Sequence, residues 1–231
     1  MTPGKYLQGA LDRDWSVTTA NLPAIADTWL DWFEPSTNYG GNTQLYLASY
    51  TTQMILVRFD LSSIPDEKLI NSLKLNLHVH TGSNETREIY AYKMAEEWVE
   101  LEATFDEKSS GVSWENIYTI PKIGTVTSSV ASGTWIQIPI DVATTTDLKS
   151  FHTFQIRSQI KDVLYITIDS READSYTPSL DIDYSDVATD DYTKNVRWFY
   201  FASGTPRSTT PIFRRTISRR TGSRGVLCHL N

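Results

Sequence analysis

Apolar and polar residues alternate strictly in two parts of this chain. In segment 73–80, leucine or valine stands at every odd position, and lysine, asparagine or histidine at every even one. Segment 135–140 repeats the pattern, with isoleucine at positions 136, 138 and 140. A period of two is typical of a strand with one buried face. Pro139 cannot donate a ladder hydrogen bond, so the second segment is predicted to be an edge strand or to contain a bulge.

Further β-strands are predicted between polar turns over most of residues 24–184. They lie near 25–30, 44–49, 53–60, 88–94, 151–158, 163–169 and 178–184. Helix signals are few: segment 94–99 predicts one or two turns, and Asp141 caps a short helix predicted over 141–148. Many short strands with regular turns and almost no long helix indicate a β-sandwich or a β-barrel.

The length of 231 residues fits one β domain with an extension at each end. We assign residues 1–23 to an N-terminal extension, 24–184 to the domain, and 185–231 to a linker, an aromatic strand and a basic tail. The lone Cys228 excludes an intramolecular disulfide and a CxxC zinc site. No apolar run approaches the ~18 residues of a membrane span, and no secretory signal is recognisable at the start, so no membrane insertion is expected.

Charge divides the chain into an acidic body and a basic tail. Residues 1–193 carry 28 acidic and 13 basic side chains, whereas residues 194–231 carry eight basic side chains and no acidic one. Such a tail is either a disordered, solubilising segment or the anchor for an acidic partner. The aromatic run 196–201 beside it is either part of that anchor or an extra edge strand of the domain. The predicted anchoring residues are Trp198, Phe199, Tyr200, Phe201, Arg214, Arg215, Arg219 and Arg220.

Catalytic signatures are absent from the sequence: it contains no GxSxG, HExxH, P-loop or GxGxxG motif. No cofactor is therefore required. His78 and His80 share a strand face and could bind a metal, although two exposed polar positions explain them more simply. A structural Ca²⁺, which takes ~6–8 oxygen ligands, is a further possibility. Its predicted ligands are Asp27, Asn38, Asp181 and Asp183.

Seven tryptophans and twelve tyrosines are the richest chemical signal in the chain. Aromatic rings stack on the apolar faces of sugars, but they also fill cores. Trp29, Trp98, Trp114 and Trp135 lie in or beside predicted strands, which favours core or inter-sheet packing for each. Trp32 and Tyr39 lie instead in the loop 32–43. With Asn38, they form the predicted glycan-binding edge.

Several segments together resemble a known family. They are ADTWLD (26–31), STNYGGN (36–42), LVRFDLSSIP (56–65), SLKLNL (72–77), FQIR (154–157), SREA (170–173) and PSLDIDY (178–184). In this order they resemble the DNRLRE, or disaggregatase-related, domains, which are grouped as a carbohydrate-binding module family. The chain departs from that family at 103–105, where ATF stands in place of a T-W pair. The resemblance implies a jelly-roll β-sandwich of two antiparallel sheets that binds polysaccharide or another surface polymer without catalysis.

A module of this kind with no export signal and a basic tail suggests display on a larger assembly. The expected setting is a phage virion, made in the host cytoplasm, in which a head fibre, decoration or tail protein is present in many copies and adheres to surface glycans. The alternatives are a stand-alone polysaccharide-binding module, extracellular or at a cell surface, and, less favoured, an accessory of a polysaccharide-degrading enzyme. Nucleic acid is a disfavoured partner because only Phe213 lies near the tail arginines to stack on bases.

Overall fold

The computed structural model describes residues 17–48, 52–142, 151–159 and 165–186, and these ranges form thirteen β-strands. The strands are β1 (Thr18–Pro23), β2 (Ala26–Asp31), β3 (Gln44–Leu47), β4 (Gln53–Asp60), β5 (Lys68–Thr81), β6 (Thr86–Met94), β7 (Glu107–Ser109), β8 (Val112–Ser113), β9 (Lys122–Ser129), β10 (Trp135–Ile140), β11 (Phe151–Gln159), β12 (Ile166–Asp169) and β13 (Ser179–Asp186). A strand lies in each of the nine segments in which strands were predicted, although position 49 and positions 163–164 lie outside the described residues, and the all-β prediction is confirmed.

One antiparallel sheet curls around the core and gives the molecule its sandwich form. Its strand order is β1-β13-β5-β10-β9-β6-β11-β4-β2, and β7 and β8 form a separate small sheet. The long β5 connects different parts of the curled sheet. It pairs with β13 and β10, and further along, at Val79 and Thr81, it pairs with β12. β12 in turn pairs with β3. The topology therefore brings segments that are distant in sequence to common edges.

The period of two correctly identifies the buried face of both strands that it predicts. Ile136, Ile138 and Ile140 are buried, while Trp135, Gln137 and Pro139, which alternate with them, are exposed. In β5, the residues from Leu73 to Val79 at odd positions join the same main core. On the opposite face of β5, Asn76 and His78 are also buried, so the expectation that His78 is an exposed polar position is wrong, whereas His80 is exposed. The alternation therefore identifies the face that joins the core, because apolar side chains leave water there, but it does not predict whether the opposite face is covered.

Three local predictions are wrong or are not covered. β10 lies between β5 and β9, so it is not an edge strand. It pairs with β9 at one position, Ile140↔Gly124. Pro139 lies outside that pair, so its missing N–H interrupts no pairing with β9. Segment 94–99 contains no helix, because β6 continues to Met94 and the chain then turns. The helix predicted over 141–148 lies outside the described residues from position 143 onward.

Residues 18–23, assigned above to the N-terminal extension, form β1. This strand pairs with β13 along its whole length, from Thr18↔Tyr184 to Pro23↔Ser179. Its side chains also contact β13, since Thr19 Oγ1 donates to Asp183 Oδ1 at 2.7 Å and Asn21 Nδ2 to Asp181 Oδ1 at 2.6 Å. Among the residues that the structure describes, the sheet therefore begins at Thr18.

A second hydrophobic cluster lies on the other face of β4. Ile55 and Val57 point into the main core, whereas Met54 and Leu56 pack in this second cluster. The segment 95–121 covers it with residues that include Trp98, Ala103, Phe105 and Ile117. β4 is thus buried on both faces, and the covering segment brings its polar residues next to the loop 32–43.

In the part of the chain that the structure describes, no helix has the length and apolar character needed to cross a membrane. Residues 187–231 lie outside the described residues, and so do all the predicted anchoring residues from Trp198 to Arg220.

Candidate functional site

The loop that follows β2 presents two exposed aromatic rings. Trp32 is 56% exposed and Phe33 is 71% exposed. Phe105, which is buried in the second cluster, contacts the Trp32 ring edge to face with centroids 5.3 Å apart. The backbone is held on both sides, because Trp32 N donates to Thr52 O and Phe33 N donates to Asp31 Oδ1. Trp32 is therefore a supported aromatic surface, at the place that the sequence predicts.

Tyr39 lies in the same loop, but its ring packs inward. It stacks on Trp29 at a centroid distance of 3.8 Å, and Trp29 belongs to the main core. Burial raises the pKa of the Tyr39 hydroxyl, and the nearby Glu34 and Asp31 carboxylates add to this effect. The hydroxyl thus lies in a polar, acidic setting at the loop edge, while the ring stabilises the loop.

Asn38 connects the loop to the covering segment. Its side-chain amide donates to Glu100 O at 2.8 Å and to Ala103 O at 2.7 Å, and its carbonyl oxygen accepts from Gly40 N. Gly40 also packs against this segment, since a Cβ built there would lie 2.1 Å from Glu100 O. Asn38 and Gly40 therefore position the loop, and the predicted role of Asn38 as a glycan or metal ligand stays a prediction.

Beneath this loop, three carboxylates from distant parts of the sequence converge. Asp27, Glu100 and Glu172 each place one oxygen within 4.8 Å of the others. Asp27 is 1% exposed. Arg171 joins the group: its backbone N donates to Asp27 Oδ2, and its guanidinium contacts Glu100 Oε2 at 2.8 Å and Glu172 Oε1 at 2.6 Å. Sequence reasoning missed Glu100 and Glu172 as partners of Asp27, although Glu172 lies in the SREA segment.

The other two predicted calcium ligands have different neighbours. Asp181 accepts from Asn21 Nδ2 and pairs with Lys74 Nζ at 3.2 Å. Asp183 accepts from Thr19 Oγ1 and from Ser72 Oγ, each at 2.7 Å. These hydrogen bonds lower the pKa of Asp183. Among the described residues, the group of acidic side chains close enough to share a cation contains Asp27 but neither Asp181 nor Asp183.

A second aromatic surface lies on the outer face of β5 and β10. Tyr176, 56% exposed, stacks on His78 at 4.2 Å, and Trp135 meets both rings edge to face. The two carboxylate oxygens of Asp169 lie within hydrogen-bond distance of two histidines, Oδ2 at 2.6 Å from His78 Nδ1 and Oδ1 at 2.8 Å from His80 Nδ1. The expectation that Trp135 packs in the core is wrong: it is 41% exposed, and the alternation of β10 already directs it outward.

Exposed rings that are rigidly supported and flanked by polar groups are suited to sugars. The ring face meets the apolar face of a pyranose, while hydroxyl, carboxylate and amide groups bind its hydroxyls. The fold and these surfaces define a β-sandwich binding module.

The family follows from comparison with known proteins. Residues 18–184 match the model of carbohydrate-binding module family 96, and the chain belongs to this family. The match confirms the carbohydrate-binding-module part of the resemblance, whereas the DNRLRE name stays a prediction. A comparison with curated protein sequences gives no match.

Proposed function

We propose that this protein is a non-catalytic polysaccharide-binding module that binds sugar at the loop edge formed by Trp32, Phe33 and the Tyr39 hydroxyl. The observation that carries the proposal is the exposure of Trp32, 56%, on a ring supported from below by buried Phe105. An exposed tryptophan costs hydration free energy that a bound sugar ring recovers. Glu34, which is exposed near Tyr39, supplies a hydrogen-bond acceptor for sugar hydroxyls.

The surface around Trp135 is the competing location. There, Trp135 contacts both His78 and Tyr176, and Tyr176 lies against His78, so the rings cover part of one another. Trp135 is also less exposed than Trp32. The loop edge therefore leaves more free aromatic surface for a ligand.

Charge favours neutral polysaccharides over polyuronates. Glu34 is exposed at the loop edge, and the body of the chain carries more than twice as many acidic as basic side chains. Like charges repel an anionic polymer at low ionic strength. We therefore expect the protein to retain neutral glucans or mannans and to bind alginate or pectate less.

The test is affinity electrophoresis and calorimetry of the parent, Trp32→Ala and Trp135→Ala on neutral and anionic polysaccharides. Stacking on a ring is worth ~1–3 kcal/mol where it has been measured on bases, so Trp32→Ala should weaken binding tenfold or more. Trp135→Ala is the matched control and should bind like the parent. The reverse result would move the site to β10, and release of reducing ends by the parent would refute a non-catalytic role.

We further propose that the basic segment 194–231 anchors the module to an acidic protein surface, as on a virion that displays many copies. The support is the charge division, eight basic side chains against none acidic in this segment. Arginine forms forked hydrogen bonds with carboxylates, which favours a protein partner.

Truncation tests the anchor, and the structure defines where to cut. Because β13 continues to Asp186, which pairs with Lys68 at 2.5 Å, the truncated chain should end after Ala188. It should fold and bind glycan like the parent but fail to join the particle. A form with Arg214, Arg215, Arg219 and Arg220 all changed to Gln is the full-length control. Normal incorporation of both forms would refute the proposal.

A further inference from the structure

The carboxylates beneath the loop contain oxygens that no protein group satisfies. Asp27 Oδ1 and Glu172 Oε2 are buried and accept no hydrogen bond. The second oxygen of each residue is used, by Arg171 N and by the Arg171 guanidinium respectively. A buried, unpaired carboxylate oxygen costs free energy, and native structures rarely leave one without a partner. One oxygen of each of these two residues lies within 4.8 Å of the other and of a Glu100 oxygen, so a single cation bound there would contact all three carboxylates.

Charge balance points in the same direction. Glu100 and Glu172 pair with the Arg171 guanidinium, whereas Asp27 accepts only from the Arg171 main-chain N, so three carboxylates meet one ion-pairing guanidinium. A bound cation relieves the repulsion among these three carboxylates.

We propose that Asp27, Glu100 and Glu172 bind one Ca²⁺ ion. The donors are all hard carboxylate oxygens, which suit Ca²⁺ or Mg²⁺ rather than Zn²⁺ or copper. They come from β2, the covering segment and the loop after β12, an irregular arrangement that suits the flexible coordination of Ca²⁺ better than the strict octahedron of Mg²⁺. Water and main-chain oxygens complete the coordination.

The ion stabilises the loop that carries the aromatic surface. Glu100 is the shared residue: its carboxylate belongs to the cluster, and its main-chain oxygen accepts from Asn38. Gly40 packs against the same backbone. Binding of Ca²⁺ holds Glu100 in place and thereby the loop from Trp32 to Gly40. This inference concerns metal binding and stands or falls independently of the proposed glycan site.

The experiment uses the full chain, treated with EDTA, desalted and titrated with CaCl₂ or MgCl₂. At a Ca²⁺ concentration of about 100 times Kd, mass action predicts that Tm rises by ~5–10 °C for a domain of this size. Calorimetry should show one site, and Mg²⁺ should give a smaller shift. Absence of both a binding heat and a Tm shift with Ca²⁺ would overturn the proposal.

Three isosteric variants locate the site. Glu172→Gln and Asp27→Asn should lose the Ca²⁺-dependent Tm shift, and in EDTA both should still fold, because each substitution keeps the shape of the side chain and removes one negative charge from the cluster. Asp183→Asn, the control, should keep the full shift, since Asp183 lies outside the cluster. A normal shift in the first two variants, or its loss in the control, would overturn the assignment. A protein that binds Ca²⁺ normally but no glycan would contradict only the proposed function.

Discussion

The ring of Tyr39 stacks on the ring of Trp29, with centroids 3.8 Å apart and an interplanar angle of 21°. Trp29 is 5% exposed and belongs to the main core, so the contact attaches the loop 32–43 to that core. The Tyr39 ring therefore stabilises the loop, while its hydroxyl lies near Thr37 and the Glu34 and Asp31 carboxylates. Substitutions that remove either the whole ring or the hydroxyl alone distinguish the contributions of the two groups.

Tyr39→Ala and Tyr39→Phe should have different effects. The alanine variant loses the stacked ring, so its free energy of unfolding should fall by ~1–3 kcal/mol. The phenylalanine variant keeps the stack and should lose well under ~1 kcal/mol, while its glycan affinity falls because the hydroxyl is gone. Urea denaturation and calorimetry measure the two effects. Equal destabilisation by both variants would show that the hydroxyl, rather than the stack, holds the loop.

Gly40→Ala should disrupt the loop, and Gly41→Ala should not. A Cβ at Gly40 would lie 2.1 Å from Glu100 O, a main-chain atom that cannot rotate away, whereas a Cβ at Gly41 meets nothing within 4 Å. Overpacking of this kind costs ~1–3 kcal/mol or more, and the loop carrying Trp32 must shift to relieve it. Thermal unfolding and glycan binding should both weaken in the first variant only. Unchanged stability of Gly40→Ala would contradict the close approach of these two segments.

Glu96→Gln should destabilise the protein at neutral pH and not at low pH. Burial of Glu96 by itself raises its pKa, but N–H groups of Glu115 and Asn116 and the Lys108 ammonium outweigh it and hold the pKa below the usual 4.5. Because the folded-state pKa is the lower one, this stabilisation is complete above the unfolded-state pKa and is lost as the pH falls through the folded-state value.

The expected difference between parent and Glu96→Gln is ~1–3 kcal/mol at pH 7, and it should shrink steadily below pH 4.5. Urea denaturation across this pH range measures it. Glu67→Gln, at an exposed turn, is the control and should change stability little at any pH. A pH-independent difference would show that the shape of the side chain, and not its charge, holds the covering segment.

The domain boundary gives a truncation test. A chain beginning at Val17 should fold like the parent, whereas one beginning at Ala24 lacks β1 and leaves the outer edge of β13 unpaired. The second form also loses the hydrogen bonds from Thr19 and Asn21. Its Tm should be lower, and it should aggregate more readily in light scattering. Equal behaviour of the two forms would show that β1 contributes nothing to the sheet's stability.

Local patterns in the sequence determined the strands and their faces. The alternation in β5 and β10 predicts which face of each strand joins the main core, and it directs Trp135 outward even though its residue type favours the core. It does not predict that Asn76 and His78 on the other face of β5 are buried as well. The position of Trp32 in a polar loop likewise predicts its exposure. These features depend on neighbouring residues and on the hydration of each side chain, which the sequence contains directly.

Only the tertiary structure decided which distant residues meet. Asp27, Glu100 and Glu172 lie more than 70 positions apart, and they converge because the covering segment folds over β4 and the loop after β12 returns to β2. The pairing of β1 with β13, and the place of β10 between β5 and β9, depend equally on how the sheet curls. A period of two specifies a face but no neighbour, so strand order and the contacts that build a site arise from packing of the whole domain.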